Sequence, residues 1–160
     1  MTVQSPNWLP GLEELGAYGG DWGRYLEAIY AIFCADFVRS KPQFRGARLG
    51  LKRHPVIEGK EATFWHIISE GSDEKERLPD MRRCERIRWP RPIIENEESP
   101  EIKVWTEVRK GEERIHLWLE AEGYLTVLNR RRDYLLWTAY VDREHQRKKY
   151  HKRWERYQEK

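Results

Sequence analysis

The amino-acid sequence predicts an α+β protein: leading helices, a four-stranded antiparallel sheet with helices packed on one face, and a C-terminal helix. Three observations carry this prediction. Residues 22–39 repeat apolar side chains at helical spacing. Residues 102–141 fall into four alternating or apolar segments separated by short turns. After Asp142, Tyr150, Trp154 and Tyr157 recur at helical intervals in a basic background. The 160 residues suit a single domain, with 1–43 as a helical N-terminal region and 44–160 as the core.

Only 39% of residues are hydrophobic and 36% are charged, but eight Trp and eight Tyr supply large buried areas. That aromatic content argues against a disordered chain. The net charge of +3 is too balanced to announce a nucleic-acid binder by itself. Met1–Pro6 has no signal-peptide pattern, and the longest apolar stretch, Ala28–Val38, contains Asp36 and is too short to cross a bilayer. A soluble, cytoplasmic protein without membrane contact is expected.

The elements follow in order. Residues 1–20 are rich in Pro and Gly and form no long regular element. Asp21 caps a helix over Trp22–Arg39, in which Tyr25, Leu26, Ile29, Ile32, Phe33 and Phe37 make the buried face. Phe44–His54 reads as a strand, with Leu49 and Leu51 on one face. In Glu61–Ser69, Thr63-Phe64-Trp65 suits a strand while Phe64, Ile67 and Ile68 share one helical face, and a helix is the expectation; Glu70–Asp80 suits a charged, solvated loop. Asp80 caps a helix over Met81–Arg88 with Met81, Cys84 and Ile87 as its core stripe, stopped by Pro90 and Pro92. Glu95–Glu101 is an acidic loop. Strands follow at Ile102–Val108, Arg114–Glu120, Tyr124–Asn129 and Tyr134–Val141, turning at Lys110-Gly111, Glu122-Gly123 and Arg130–Asp133. The apolar fourth segment is expected to be a central strand. Asp142 then caps the last helix.

Several chemistries find no motif. The histidine and cysteine spacings match no zinc pattern, so no metal is expected. Neither a Gly-x-x-x-x-Gly-Lys-Ser/Thr loop nor a Gly-x-Gly-x-x-Gly turn is present, so no nucleotide cofactor is expected. Cys34 lies among Ala and Phe and is a poor nucleophile.

Acid–base chemistry on RNA fits better. An attacking 2′-hydroxyl must lose a proton, the leaving oxygen must gain one, and charge on phosphorus must be stabilised. Histidine titrates near neutrality, and arginine or lysine holds phosphate oxygens. The stretch Arg53–His66 offers His54, Lys60 and His66. The Met81–Arg88 helix offers Arg83, Arg86 and Arg88, and the fourth strand offers Thr138 and Tyr140. The same residues have plainer readings: a hydrogen-bonded, half-buried His66, solvated arginines, an ordinary strand threonine.

Taken together, His54–His66, Arg82–Pro90 and Tyr134–Tyr140 resemble small phage-associated proteins grouped with the barnase, EndoU, colicin and RelE-like superfamily of metal-independent ribonucleases. The resemblance spans Phe44 to Val141, making 44–160 a ribonuclease-like core. It implies a toxin-like or phage-associated endoribonuclease acting on tRNA or another RNA, leaving a 2′,3′-cyclic phosphate, without a cofactor. It also implies an inhibitor partner, an antitoxin or immunity protein. In that reading His66 is the main acid–base group, Arg86 holds the scissile phosphate, Thr138 orients it, and His54 is a second catalytic candidate. Lys60, Arg83, Arg88 and Tyr140 contact the RNA. Two other readings stand beside it: a non-catalytic RNA- or protein-binding domain of a mobile-element protein, and an interaction protein whose aromatics are simply core.

Overall fold

The computed structural model of the chain describes residues 4–71 and 76–158. Part of the charged loop, Ser72–Lys75, lies outside the described residues. After a 3₁₀ turn at Leu15–Tyr18, helix α1 (Trp22–Phe33) begins where Asp21 Oδ1 accepts the Arg24 amide at 3.1 Å. It runs on through a π-helical turn, Cys34–Val38, so the helical region ends close to the predicted place.

The predicted strand at Phe44–His54 is broken up instead. Arg45 and Gly46 take positive φ and turn the chain between β1 (Gln43–Phe44) and β2 (Ala47–Arg48), and only β3 (Gly50–Leu51) joins the main sheet. Helix α2 (Ala62–Ile68) follows, then a short pair, β4 (Ser69–Glu70) with β5 (Leu78–Pro79). Helix α3 (Met81–Glu85) starts on Asp80, whose carboxylate accepts the Arg82 amide at 2.9 Å. Cys84 and Ile87 are buried as the stripe predicts, but Met81 is exposed.

Pro90 does not end the helical region. It opens helix α4 (Pro90–Glu95), since proline's fixed φ and missing N–H suit a first helical turn. The predicted meander follows as β6 (Ile102–Arg109), β7 (Glu112–Leu119), β8 (Tyr124–Arg130) and β9 (Tyr134–Val141). The sheet has five strands in the order β3-β9-β8-β7-β6. The four meander strands are antiparallel, and β3 adds a short parallel pairing to β9, Gly50 opposite Leu135 and Leu51 opposite Leu136.

Alternation along the strands makes two faces. One carries Ile102, Ile115, Leu117, Leu119, Tyr124, Leu128, Leu136 and Ala139, which pack with Tyr25, Ile29 and Phe33 of α1, Phe64 and Ile67 of α2, and Ile93 and Ile94 of α4. The other carries Trp105, Trp118 and Leu125, closed by Tyr150 of helix α5 (Arg147–Tyr157), with Tyr140 and Trp154 beside them. The leading helices therefore take one face and the closing helix the other.

Asp142 does not cap that closing helix. It is buried and accepts the Trp118 indole N–H at 2.9 Å, while a 3₁₀ turn at Glu144–Gln146 leads into α5. Past α5, Gln158 bridges to Trp105 on the outer strand β6. No helix among the described residues is long and apolar enough to cross a membrane.

Candidate functional site

Two halves of the chain meet along β9. Helix α2 lies against this strand, and its buried Thr63 hydroxyl ties it down, accepting the Lys52 amide at 2.8 Å and approaching the carbonyl oxygens of Lys52 (3.1 Å) and Leu136 (3.3 Å). One turn on, the carbonyl of His66 gathers donors from three directions. Thr138 Oγ1 donates to it at 3.0 Å, Arg77 Nη2 at 3.3 Å and Arg83 Nη1 at 3.4 Å. Arg83 Nη1 also reaches the Ser69 carbonyl, and its guanidinium lies 5.7 Å from the Tyr140 ring centroid. Burial pushes the Tyr140 phenol well above its ordinary pKa, so it stays protonated beside Tyr150. His66, Arg83, Thr138 and Tyr140 are therefore neighbours.

The other predicted residues lie elsewhere. Arg86 turns towards Trp89, 5.0 Å from its ring, and donates to the Arg82 carbonyl at 2.9 Å. Arg88 pairs with Glu13 at 3.0 Å near the N-terminal segment. Lys60 is buried: its Nζ meets Glu27 Oε1 at 2.7 Å and sits 5.1 Å from the Tyr30 ring. That satisfied ion pair anchors the Glu58-Gly59 turn to α1, which removes the lysine from any open surface. His54 is exposed, ahead of that turn.

The β9 strand carries an irregularity beside His66. Val127 faces Thr138, but the next residue, Leu128, faces Leu136, so Trp137 has no cross-strand partner. A bulge of this kind sends two consecutive side chains to one side. Leu136 and Ala139 both stay in the main core, while Trp137 and Thr138 are left half-buried between them. The Trp137 indole meets Arg114 of β7, whose guanidinium lies 4.6 Å from its centroid. Lys52 Nζ is 5.7 Å away, and the His66 ring meets it edge-on at 6.5 Å and 75°. Arg114 is held by Asn129 Oδ1 at 2.5 Å.

Two residues along β7 from Arg114 lies His116, opposite Trp105 on one side and Val127 on the other. Its ring stacks on Trp105 with centroids 4.8 Å apart and planes 1° from parallel. Its Nδ1 is 3.1 Å from the Arg114 carbonyl and its Nε2 is 3.4 Å from Arg153 Nη2 of α5. A backbone carbonyl on one nitrogen and a guanidinium on the other select the neutral ring, with the proton on Nδ1. Burial, reinforced by the Arg153 charge, lowers its pKa to about 4. Burial alone would raise the Glu107 carboxyl. Hydrogen bonds from the Trp105 indole and Arg153, both at 2.8 Å, outweigh that and keep it below the ordinary range. This group ties α5 to the sheet.

Reasoning from sequence missed Arg114, His116, Glu107, Arg153 and Trp137. A signal existed for the first three: a hairpin turning at Lys110-Gly111 sets Glu107 opposite Arg114 and Trp105 opposite His116. Among the described residues no group of three His, Cys, Asp or Glu side chains is placed to hold a metal ion. No protein-family model, curated protein or solved structure matches the chain.

Proposed function

We propose that this protein is an endoribonuclease that cleaves RNA by proton transfer at His66. The observation that supports this is the meeting of Thr138 and Arg83, from β9 and α3, on the His66 carbonyl. In the reading offered here these two are positioning residues rather than phosphate ligands. They fix the turn of α2 that carries the imidazole, and preorganisation of a catalytic group is worth several kcal/mol in effective concentration, of the order of 7–11 in well-oriented systems. The imidazole takes the proton of the 2′-hydroxyl. The 2′-oxygen then bonds to phosphorus, the bond from phosphorus to the 5′-oxygen breaks, and that oxygen leaves with a proton from solvent. The products are a 2′,3′-cyclic phosphate and a 5′-hydroxyl. Lys52 and Arg114 supply positive charge beside the histidine, where the pentavalent phosphorus gathers negative charge.

The test is cleavage of total tRNA and a mixed RNA pool in excess chelator, comparing wild type with His66→Ala. The proposal expects discrete fragments ending in cyclic phosphate from the wild type alone. Folded wild type that cuts nothing would replace it with the RNA-binding-domain reading. Equal cutting by both proteins would remove His66 from the chemistry.

A further inference from the structure

The bulge at Trp137 costs the sheet a regular pair, and it sets a large aromatic side chain half-buried among two cations and an imidazole from separate elements. Lys52 follows β3, His66 lies on α2 and Arg114 lies on β7. They approach one indole at 5.7, 6.5 and 4.6 Å. Packing alone does not require this. A regular β9 would bury alternate side chains and leave one residue between them, whereas here two residues separate the buried Leu136 and Ala139. Bulges are over-represented where a side chain is re-aimed towards a ligand. The surface offered to that ligand is an indole paired with a guanidinium over its ring, with a second cation close by.

We infer that Trp137, Arg114 and Lys52 form a subsite for one unpaired nucleotide of single-stranded RNA, immediately beside His66. The base stacks on the Arg114–Trp137 pair, and Lys52 meets its phosphate. Three physical points select this ligand. Bases stack on indole rings and on arginine planes alike, so both members of the pair offer the same kind of surface. The charge around the ring is positive, which matches a base that carries its own phosphate and disfavours a neutral apolar group. A paired base has both faces covered by its neighbours in the helix, so an unpaired nucleotide is required. This subsite rests on the RNA reading above, and it would place the nucleotide next to the scissile bond within reach of the His66 imidazole.

The test separates binding from cleavage. A fluorescein-labelled 2′-O-methyl RNA lacks the attacking hydroxyl, and its anisotropy is titrated with the full chain, as a single strand and annealed to its complement. Wild type should bind the single strand more tightly than the duplex. Trp137→Ala should weaken single-strand binding roughly 5- to 150-fold, whereas Trp137→Phe, which keeps a stacking ring and the fold, should stay within a few-fold of wild type. Lys52→Gln should reduce the slope of log affinity against log salt by about 0.7. The inference fails if Trp137→Ala binds like wild type, if duplex and single strand bind equally, or if the wild type binds neither. Trp137-dependent binding by a chain that cuts no RNA would uphold the subsite and sink the cleavage proposal. Cleavage with Trp137-independent binding would do the reverse.

Discussion

Acid should loosen this protein through one buried histidine. His116 is 5% exposed, stacked on Trp105, with Arg153 and Glu107 on its other sides, and its pKa is lowered to about 4. In the unfolded chain it returns to about 6.5. Between those values the unfolded state binds more protons than the folded one, so stability falls as pH falls. The neutral ring's contribution is fully present above pH 6.5 and is lost progressively down to pH 4. A gap of this size amounts to about 3 kcal/mol over the whole window, and about 2 kcal/mol between pH 7.5 and 5. The Glu107 carboxyl, held low by Trp105 and Arg153, adds its own loss only in the more acidic part, so stopping at pH 5 isolates the histidine. The assay is urea unfolding followed by circular dichroism at several pH values, for wild type and His116→Gln. Glutamine stays neutral and can still face Arg153. The mutant should be the less stable protein at pH 7.5, yet lose about 2 kcal/mol less than wild type on acidification. Parallel stability profiles would refute the argument, because they would mean His116 titrates alike in both states.

Three further outcomes follow from local packing. Gly123→Ala should lower the thermal midpoint by an amount equivalent to about 1–3 kcal/mol, because Gly123 has φ 62° and a Cβ there would lie 2.6 Å from Asp142 Oδ1. That carboxylate cannot easily retreat, since Trp118 holds it; an unchanged midpoint would show that it does. Thr63→Val keeps the side-chain shape but strands the Lys52 amide, so chemical denaturation should show a loss of about 1–3 kcal/mol. Cys84 is fully buried and its thiol is pushed up to about 12 by burial, so a thiol reagent at pH 8 should leave it unmodified in the folded protein and label it only after denaturation.

The meander was legible because its information is local. Lys110-Gly111 and Glu122-Gly123 supply the turns, and the strands flanking them send alternate side chains to the two faces of the sheet. The parallel strand β3 was not, because it contributes two residues whose partner on β9 is remote in the chain. Pro90 illustrates a second kind of miss: the same residue ends one helix or begins another, depending on whether Trp89 is already anchored, here by its indole donating to the Pro10 carbonyl at 2.9 Å. At the candidate site, helical spacing identified an arginine-bearing helix but could not say which arginine faces His66. Arg83 does, while Arg86 turns to Trp89 and Arg88 to Glu13. Lys60 reads from sequence as an anion-binding residue, but Glu27 of α1, 33 residues earlier in the chain, already pairs with its ammonium. The bulge at Trp137 depends on the registration of β8 against β9, which no one-dimensional pattern records.

The pairing of Gln158 with Trp105 bears on how the molecule behaves in a crowded solution. A sheet's outer strands invite neighbouring molecules to add on, and an eight-residue strand such as β6 is a long invitation. Here the chain's own return covers its middle, and Lys103 and Arg109 put charge near its ends. At the opposite margin β3 and the side chains of α2 cover β9. Both margins are thus guarded against stacking into fibres, one by the chain's last residues and the other by a core helix and its short neighbouring strand. Ending the chain at Tyr157 should leave the monomer folded but prone to concentration-dependent self-association, and light scattering that stays flat for the shortened protein would show that charge alone is guard enough.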